Sequence, residues 1–161
     1  MQLFILDYDP ETAATMLCDV HLRKMCLETP QILSSVLYNN HLEPVPEMPR
    51  PYNPAHPVIR AINNPPKINW TVIYNESLHQ EYLFRFGKVH AYGFLCRIYR
   101  QMLFDHTAGI PPEQLNFARN FKDITIDTPD IVMAYREYYR FKKHLLRFWH
   151  YSKRDEPSWL K

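Results

Sequence analysis

Four polar side chains recur at helical spacing near the start of the chain, and together they could do chemistry. At 100° per residue, His21, Lys24, Glu28 and Gln31 fall on one face of a helix. The row supplies an imidazole, an amine, a carboxylate and an amide, and the first three are groups that acid–base and nucleophilic catalysis use. A solvated helix face holds the same residue types, and Lys24 with Glu28 is then an ordinary surface ion pair. The spacing alone leaves both interpretations open.

One long helix is expected to carry this row. Asp9 and Pro10 are a helix start, with Asp9 as the N-cap and Pro10 at the first helical position. We expect the helix to run to about Tyr38, with a kink or a break near residues 27–29 because Pro30 removes one internal hydrogen bond. The apolar residues of the segment lie broadly on the face opposite the row: Met16, Val20, Leu22, Cys26, Leu27, Leu33 and Leu37.

The rest of the chain alternates between helical spacing and proline-rich breaks. Helices are predicted over 67–86, over 88–105 and over 129–152, the last with Pro129 at its first position. Residues 40–57 hold six prolines and no periodicity, which predicts a long surface loop. The apolar run at 2–6 predicts an extended arm or a short strand.

Length and composition indicate the fold class. The chain has 161 residues, of which 46% are hydrophobic, enough for one domain with a sizeable core. Only 3 glycines against 14 prolines suit helices that are separated by proline-rich loops. We therefore predict an all-α fold: residues 1–161 form a single compact domain of about three to five helices around a long central helix.

Several classes of protein find no support in the sequence. The cysteines number 3 and show no CxxC spacing, so neither disulfides nor a zinc site is expected. A metal site would have to recruit His79, Glu81 and His90, but His79 and Glu81 point to different faces of a helix. Glycine-rich phosphate loops and nucleophile elbows are also missing. We expect no metal.

The sequence also gives expectations about location. It contains no apolar stretch long enough to span a membrane, and its N-terminus lacks the basic region and cleavage site of a signal peptide. We therefore expect a soluble cytoplasmic protein with no membrane partner. The oligomeric state stays open, with a monomer favoured. A formal net charge of +2 permits nucleic-acid binding without arguing for it.

The last predicted helix combines cations with aromatic rings. Cations neutralise phosphates, and aromatic rings stack on bases or wedge between them. The alternative is that most of the rings are core and the cations are solvated. The candidate nucleic-acid contacts on this helix are Arg136, Arg140, Lys143 and Arg147, with Arg23, Arg85 and Lys88 extending the basic surface.

The motifs resemble a known family. The run LCDVHL at 17–22, followed by Glu28-Thr29-Pro30, resembles the first helix of the T4-type pyrimidine dimer DNA glycosylases, the endonuclease V family. The resemblance implies that Glu28 is the catalytic carboxylate and that Gln31 occupies the place of a DNA-contacting arginine. A second family arginine falls on Leu27.

Two further segments carry the resemblance. His56-Pro57 is similar to a His-Pro loop of bacterial relatives, and the ending through Trp159 is similar to the segment before an aromatic, DNA-contacting tail. The pattern DxHxxKMxxExxQxL also resembles that of short tailed-phage proteins over nearly the whole chain, which implies a phage-encoded protein.

One departure from the family concerns the nucleophile. In the family it is the α-amino group of a threonine that removal of the initiator methionine exposes. Here Gln2 follows Met1, and its size disfavours that removal. The resemblance therefore implies an amine at Met1 or at Lys24. An α-amino group, with a reference pKa of about 7.7–8.0, is unprotonated more readily than a lysine, at about 10.4.

The resemblance implies a DNA glycosylase and AP lyase that acts on a damaged or modified pyrimidine through an amine and Glu28, without a cofactor. Its partner is DNA, expected to be double-stranded with an extruded nucleotide. One alternative is a phage DNA-hypermodifying transferase that acts on a hydroxymethylated pyrimidine, with Glu28 as base, His21 as acid and Lys24 as anion contact. Another is a non-catalytic DNA-binding or host-interaction protein.

Overall fold

The computed structural model describes residues 1–161, and its regular structure is entirely helical. Six α-helices pack into one domain, which confirms the predicted all-α class. None of the helices is both long and apolar enough to cross a membrane. In chain order they are α1 (Pro10–Thr15), α2 (Asp19–Asn39), α3 (Pro57–Ala61), α4 (Pro65–Phe86), α5 (Leu95–Leu103) and α6 (Ile131–Leu145), with 3₁₀ turns at Pro112–Gln114 and Ser158–Leu160.

Side-chain caps fix where three of these helices begin. The Asp9 carboxylate accepts a hydrogen bond from the Thr12 amide, and Asn64 caps α4 in the same way. Asp130 accepts from the amide of Met133 at 2.7 Å and starts α6. The helix α4 ends at Gly87, whose φ of 67° lies in the left-handed region that favours glycine.

The sequence predicts the wrong position for the interruption of the long N-terminal helix. The chain leaves the helix at 16–18, between α1 and α2, and α2 runs through Pro30 without a break. The interruption occurs because backbone amides there bond outside the helix: the Cys18 amide donates to the Tyr139 hydroxyl and the Asp19 amide to the carbonyl of His150. Around Pro30, buried side chains hold the helix together although one hydrogen bond is missing.

Two other predicted helices are too long. Of the span 88–105, only Leu95–Leu103 is helical, and the residues before it form turns. The last helix begins at Ile131 because Asp130, not Pro129, supplies its start. It ends at Leu145, and the chain then runs past α2, held by the Asp19–His150 backbone hydrogen bond.

The N-terminal segment is an arm, not a strand. Its side chains are almost completely buried, although its backbone does not pair with a strand: Leu3, Phe4, Ile5 and Leu6. Arg136 of α6 donates to the carbonyl of Leu6 at 2.8 Å and so fastens the arm. Because the arm is buried along its length, the two residues before it are fixed at one place in the fold.

A buried ion network ties α2, α4 and the C-terminal segment together. The Arg85 guanidinium contacts Asp19 at 3.1 Å and Glu81 at 2.6 Å, and Arg154 contacts Glu81 at 2.8 Å. Burial by itself raises the pKa of both carboxyls, but hydrogen bonds from Ser152 and Arg85 to Asp19, and from Arg154 and Arg85 to Glu81, hold each pKa below its ordinary value. The network positions the start of α2, where the polar row begins.

Candidate active site

The polar row of α2 crosses the boundary between the core and the surface. His21 is 4% exposed, whereas the side chains of Glu28 and Lys24 are 20% and 51% exposed. The row is therefore not a uniformly solvated face. Val20 and Leu27, which the spacing placed towards the core, are in fact exposed beside it.

His21 is held as a neutral hydrogen-bond donor. Its Nδ1 lies 3.0 Å from the Tyr139 hydroxyl, which accepts the Cys18 amide and so turns its own hydrogen towards the imidazole. This network assigns the remaining imidazole hydrogen to Nε2. Burial, followed by the charges of Lys24 and Lys142, lowers the pKa of His21 to about 3. At neutral pH the ring therefore carries no spare proton to give as a general acid.

Glu28 has one engaged oxygen and one free oxygen. Its Oε1 lies 3.6 Å from the ammonium of Lys24, while its Oε2 is buried and has no hydrogen-bond partner. A buried carboxylate oxygen without a partner in the fold is available to contact another molecule. The carboxylate can stabilise a positive charge or carry a proton.

A cavity of about 280 Å³ opens between the N-terminal arm, α2, α6 and the segment 120–122. Met1, His21 and Lys24, three of the four predicted catalytic residues, line it. Glu28 does not line this cavity, but it follows one turn after Lys24 on α2 and contacts it.

His56, at the start of α3, is influenced by charges from both parts of the site. It caps α3, with its Nδ1 accepting a hydrogen bond from the amide of Val58 at 3.2 Å. Burial lowers the pKa of His56, and the charges of the Met1 α-amine and Lys122 lower it further. The Glu28 carboxylate raises this pKa. The amine of Met1 and the carboxylate of Glu28 therefore lie within electrostatic reach of the same imidazole.

Three of the predicted nucleic-acid contacts are exposed cations. Arg23, Lys88 and Arg147 are exposed and take part in no ion pair. The Arg23 guanidinium lies 4.4 Å above the ring of Phe86, which brings it near the end of α4 and so near Lys88. Gln31 is half-buried on α2.

Contacts within the protein engage three of the predicted nucleic-acid contacts: Arg136, Arg140 and Trp159. Besides bonding to the arm, Arg136 contacts the carboxylate of Asp7 at 3.0 Å. Arg140 donates to the carbonyl of Trp159 at 2.9 Å, and both guanidiniums lie over the indole of that residue. These contacts fasten the arm and the C-terminal turn to α6.

Arg85 and Lys143 are likewise paired. The side chain of Arg85 has no exposed surface and belongs to the buried ion network, so DNA cannot reach it in this fold. Lys143 contacts Glu156 at 2.7 Å. Glu81 is an i,i+4 neighbour of Arg85 that the spacing could have indicated, whereas Asp19 lies in another helix and Glu156 lies in the C-terminal segment.

Sequence reasoning missed several residues of the cavity, among them Lys122 and Gln2. Lys122 lies in a segment with no helical periodicity, and no spacing relates it to α2. Gln2 was considered only for its effect on removal of Met1, yet it lines the cavity. No group of three metal-binding side chains occurs in the fold, and Glu81 is engaged by Arg85.

Comparison with known proteins adds one finding. The model of the family described as pyrimidine dimer DNA glycosylase matches residues 1–91. That range is more than half of the chain and contains the arm, α1 to α4, the polar row and His56. None of the curated proteins and none of the solved structures compared with the chain matches it.

Proposed function

Because the chain belongs to the pyrimidine dimer DNA glycosylase family, we propose that it is a DNA glycosylase and AP lyase that removes a damaged or modified pyrimidine. The observation that carries the proposal is the carboxylate of Glu28: its Oε2 is buried without a partner, and its Oε1 lies 3.6 Å from Lys24, which lines the same cavity as Met1. An amine and a carboxylate are the two groups that such a reaction needs.

The proposed first step is attack by the unprotonated Met1 α-amine on C1′ of the target nucleotide. The nitrogen lone pair forms a bond to C1′ as the bond from C1′ to the base breaks, and the base leaves with those electrons and takes up a proton. The nitrogen then gives up a proton, the ring oxygen receives one, and the sugar opens to a Schiff base between Met1 and C1′.

The lyase step follows from the Schiff base. Loss of a C2′ proton moves its electrons towards the iminium and expels the 3′ phosphate by β-elimination. Water then adds to C1′ and releases the sugar fragment from the amine. Every bond change uses the substrate, water and groups of this chain, so the proposal needs no metal or organic cofactor.

Glu28 is assigned the electrostatic and proton-transfer role. Positive charge develops at C1′ as the base departs, and a nearby carboxylate stabilises it. The buried Oε2 of Glu28 has no partner, which supports a role towards substrate. Lys24 is already engaged by Glu28 at 3.6 Å, and we assign it to phosphate contact and not to nucleophilic attack.

The DNA-binding face proposed here is the exposed side of α2 and its neighbours. It combines cations, which neutralise phosphates, with apolar side chains that can wedge between bases of double-stranded DNA and extrude a nucleotide. Phe148, the most exposed aromatic ring on α6 and the chain after it, lies beside Arg147. The members of the face are Val20, Arg23, Lys24, Leu27, Lys88, Arg147 and Phe148.

Replacing Glu28 tests the proposal. Glu28→Gln keeps the size of the side chain and removes its charge, so single-turnover cleavage of an abasic duplex should fall by about 100-fold or more. Binding of the same duplex should change by no more than about twofold, because the substitution removes no cation from the proposed face.

Glu137→Gln is the matched control, since Glu137 is exposed on α6. That variant should cleave like the wild type. If Glu28→Gln cleaves abasic DNA as fast as the control does, Glu28 is not the catalytic carboxylate and the proposal is wrong.

A further inference from the structure

Gln2 presents a buried amide that nothing in the protein satisfies. The side chain is 8% exposed, and neither its Oε1 nor its Nε2 has a hydrogen-bond partner. Leaving both atoms buried and unpaired destabilises the fold, so the arrangement calls for a ligand that supplies an acceptor and a donor side by side. Gln2 also lines the 280 Å³ cavity beside Met1.

The cavity is polar and carries positive charge. The Met1 α-amine and the ammonium groups of Lys24, Lys122 and Lys142 belong to residues that line it, and no Asp or Glu does. Because His21 keeps its imidazole hydrogen on Nε2, it adds a neutral donor to the same lining. The cavity therefore offers many donors and few acceptors, which suits a ligand rich in carbonyl oxygens.

The size of the cavity favours a single ring. Its volume of about 280 Å³ lies just below the roughly 300–1,000 Å³ of typical small-molecule sites. A purine or two linked pyrimidines need more room than one pyrimidine. The adjoining Met1 amine would then face the sugar of the same nucleotide.

We propose that this cavity receives one extruded uracil- or thymine-type base, and that the Gln2 amide recognises its edge. Such a base carries a ring N–H between two carbonyl groups. The amide Nε2 of Gln2 donates to one carbonyl, and Oε1 accepts from the ring N–H. A cytosine-type base can pair with the same amide, since its ring nitrogen accepts and its amino group donates, so only the donor-rich lining favours the base with two carbonyls.

The inference rests on the proposed function, and Gln2→Met tests it. Methionine fills a similar volume without an amide, and it is large enough to disfavour removal of Met1. The wild type should bind a mismatched duplex with one thymine about tenfold or more tightly than the same duplex with 3-methylthymine, whose methyl group removes the ring N–H from which Oε1 accepts. In Gln2→Met this preference should shrink to within about twofold.

Melting temperature separates recognition from a structural role. Since the Gln2 amide is unpaired in the fold, Gln2→Met should melt at the same temperature as the wild type or higher. The matched control is Gln101→Met on the exposed side of α5, which should keep the wild-type preference. If Gln2→Met keeps the preference, or if it melts at a clearly lower temperature, the assignment to Gln2 is overturned.

A second measurement distinguishes this inference from the proposed function. Borohydride trapping on abasic DNA needs the amine but no base. If the wild type is trapped on abasic DNA but binds the two base-containing duplexes equally well, the recognition by Gln2 is overturned. The proposed lyase reaction is then unaffected. A clear preference without any trapping upholds the recognition and overturns the Schiff-base reaction.

Discussion

At the scale of single residues, burial distinguishes the side chains of the polar row on α2. His21 lies deepest in the row and is a neutral donor, Glu28 sits at the boundary with one free oxygen, and Lys24 reaches the surface. Three side chains of one helix face therefore lie in three different environments. The exposure of each side chain follows from its position relative to the core. Helical spacing alone could not predict it.

The imidazole of His21 should stay neutral through the physiological range. Its native pKa of about 3 lies far below the ordinary 6.5, so the unfolded chain takes up a proton near pH 6.5 and the native protein does not. The contribution of His21 to stability is therefore present above pH 6.5 and is lost as the pH falls towards 3.

Nitrogen NMR of the imidazole checks this directly. Between pH 8 and pH 5 the ring nitrogens of His21 should not titrate, and Nε2 should carry the hydrogen. A midpoint for His21 near 6.5 would contradict the buried, neutral assignment.

At the scale of helices and loops, tertiary contacts decide where helices end. The sequence predicted the polar row, the cap at Asp9 and the end of the second long helix at residue 86, because each depends on neighbours along the chain. It did not predict the interruption at 16–18 or the end of α6. Both depend on hydrogen bonds to residues more than 120 positions away, such as that from the Cys18 amide to Tyr139.

The buried network around Arg85 should dominate the stability of this packing. Arg85→Met leaves the carboxylate of Asp19 buried without its cation and that of Glu81 with Arg154 alone, and should cost about 3–5 kcal/mol in the free energy of unfolding. Urea denaturation at pH 7 measures this cost. Arg97→Met, an exposed cation on α5, should change the same free energy by less than about 0.5 kcal/mol.

Acid should weaken the same network. Because the native pKa values of Asp19 and Glu81 lie below the ordinary 3.8 and 4.5, the unfolded chain binds protons that the native protein does not. The stabilisation is complete above about pH 4.5 and is lost as the pH falls through the lowered native values. A wild-type protein that is no less stable at pH 3 than at pH 6 would show that the network does not stabilise the fold.

At the scale of the whole molecule, the buried arm makes the site possible. The residues from Leu3 to Leu6 pass through the core, and Arg136 of α6 holds their far end. The arm thereby brings Met1 and Gln2 to a cavity that α2, α6 and the segment 120–122 complete. The sequence predicted the class of fold and the residues of α2, but not this meeting of segments that lie more than 100 residues apart.

The position of the covalent bond between the protein and abasic DNA tests the proposed mechanism most directly. The wild-type protein is incubated with an abasic duplex and borohydride, the adduct is digested, and mass spectrometry locates the modified amine. Intact mass first establishes that the protein used begins with Met1. The account predicts modification at the Met1 α-amine. Modification at Lys24 or another lysine, or no adduct, would contradict it.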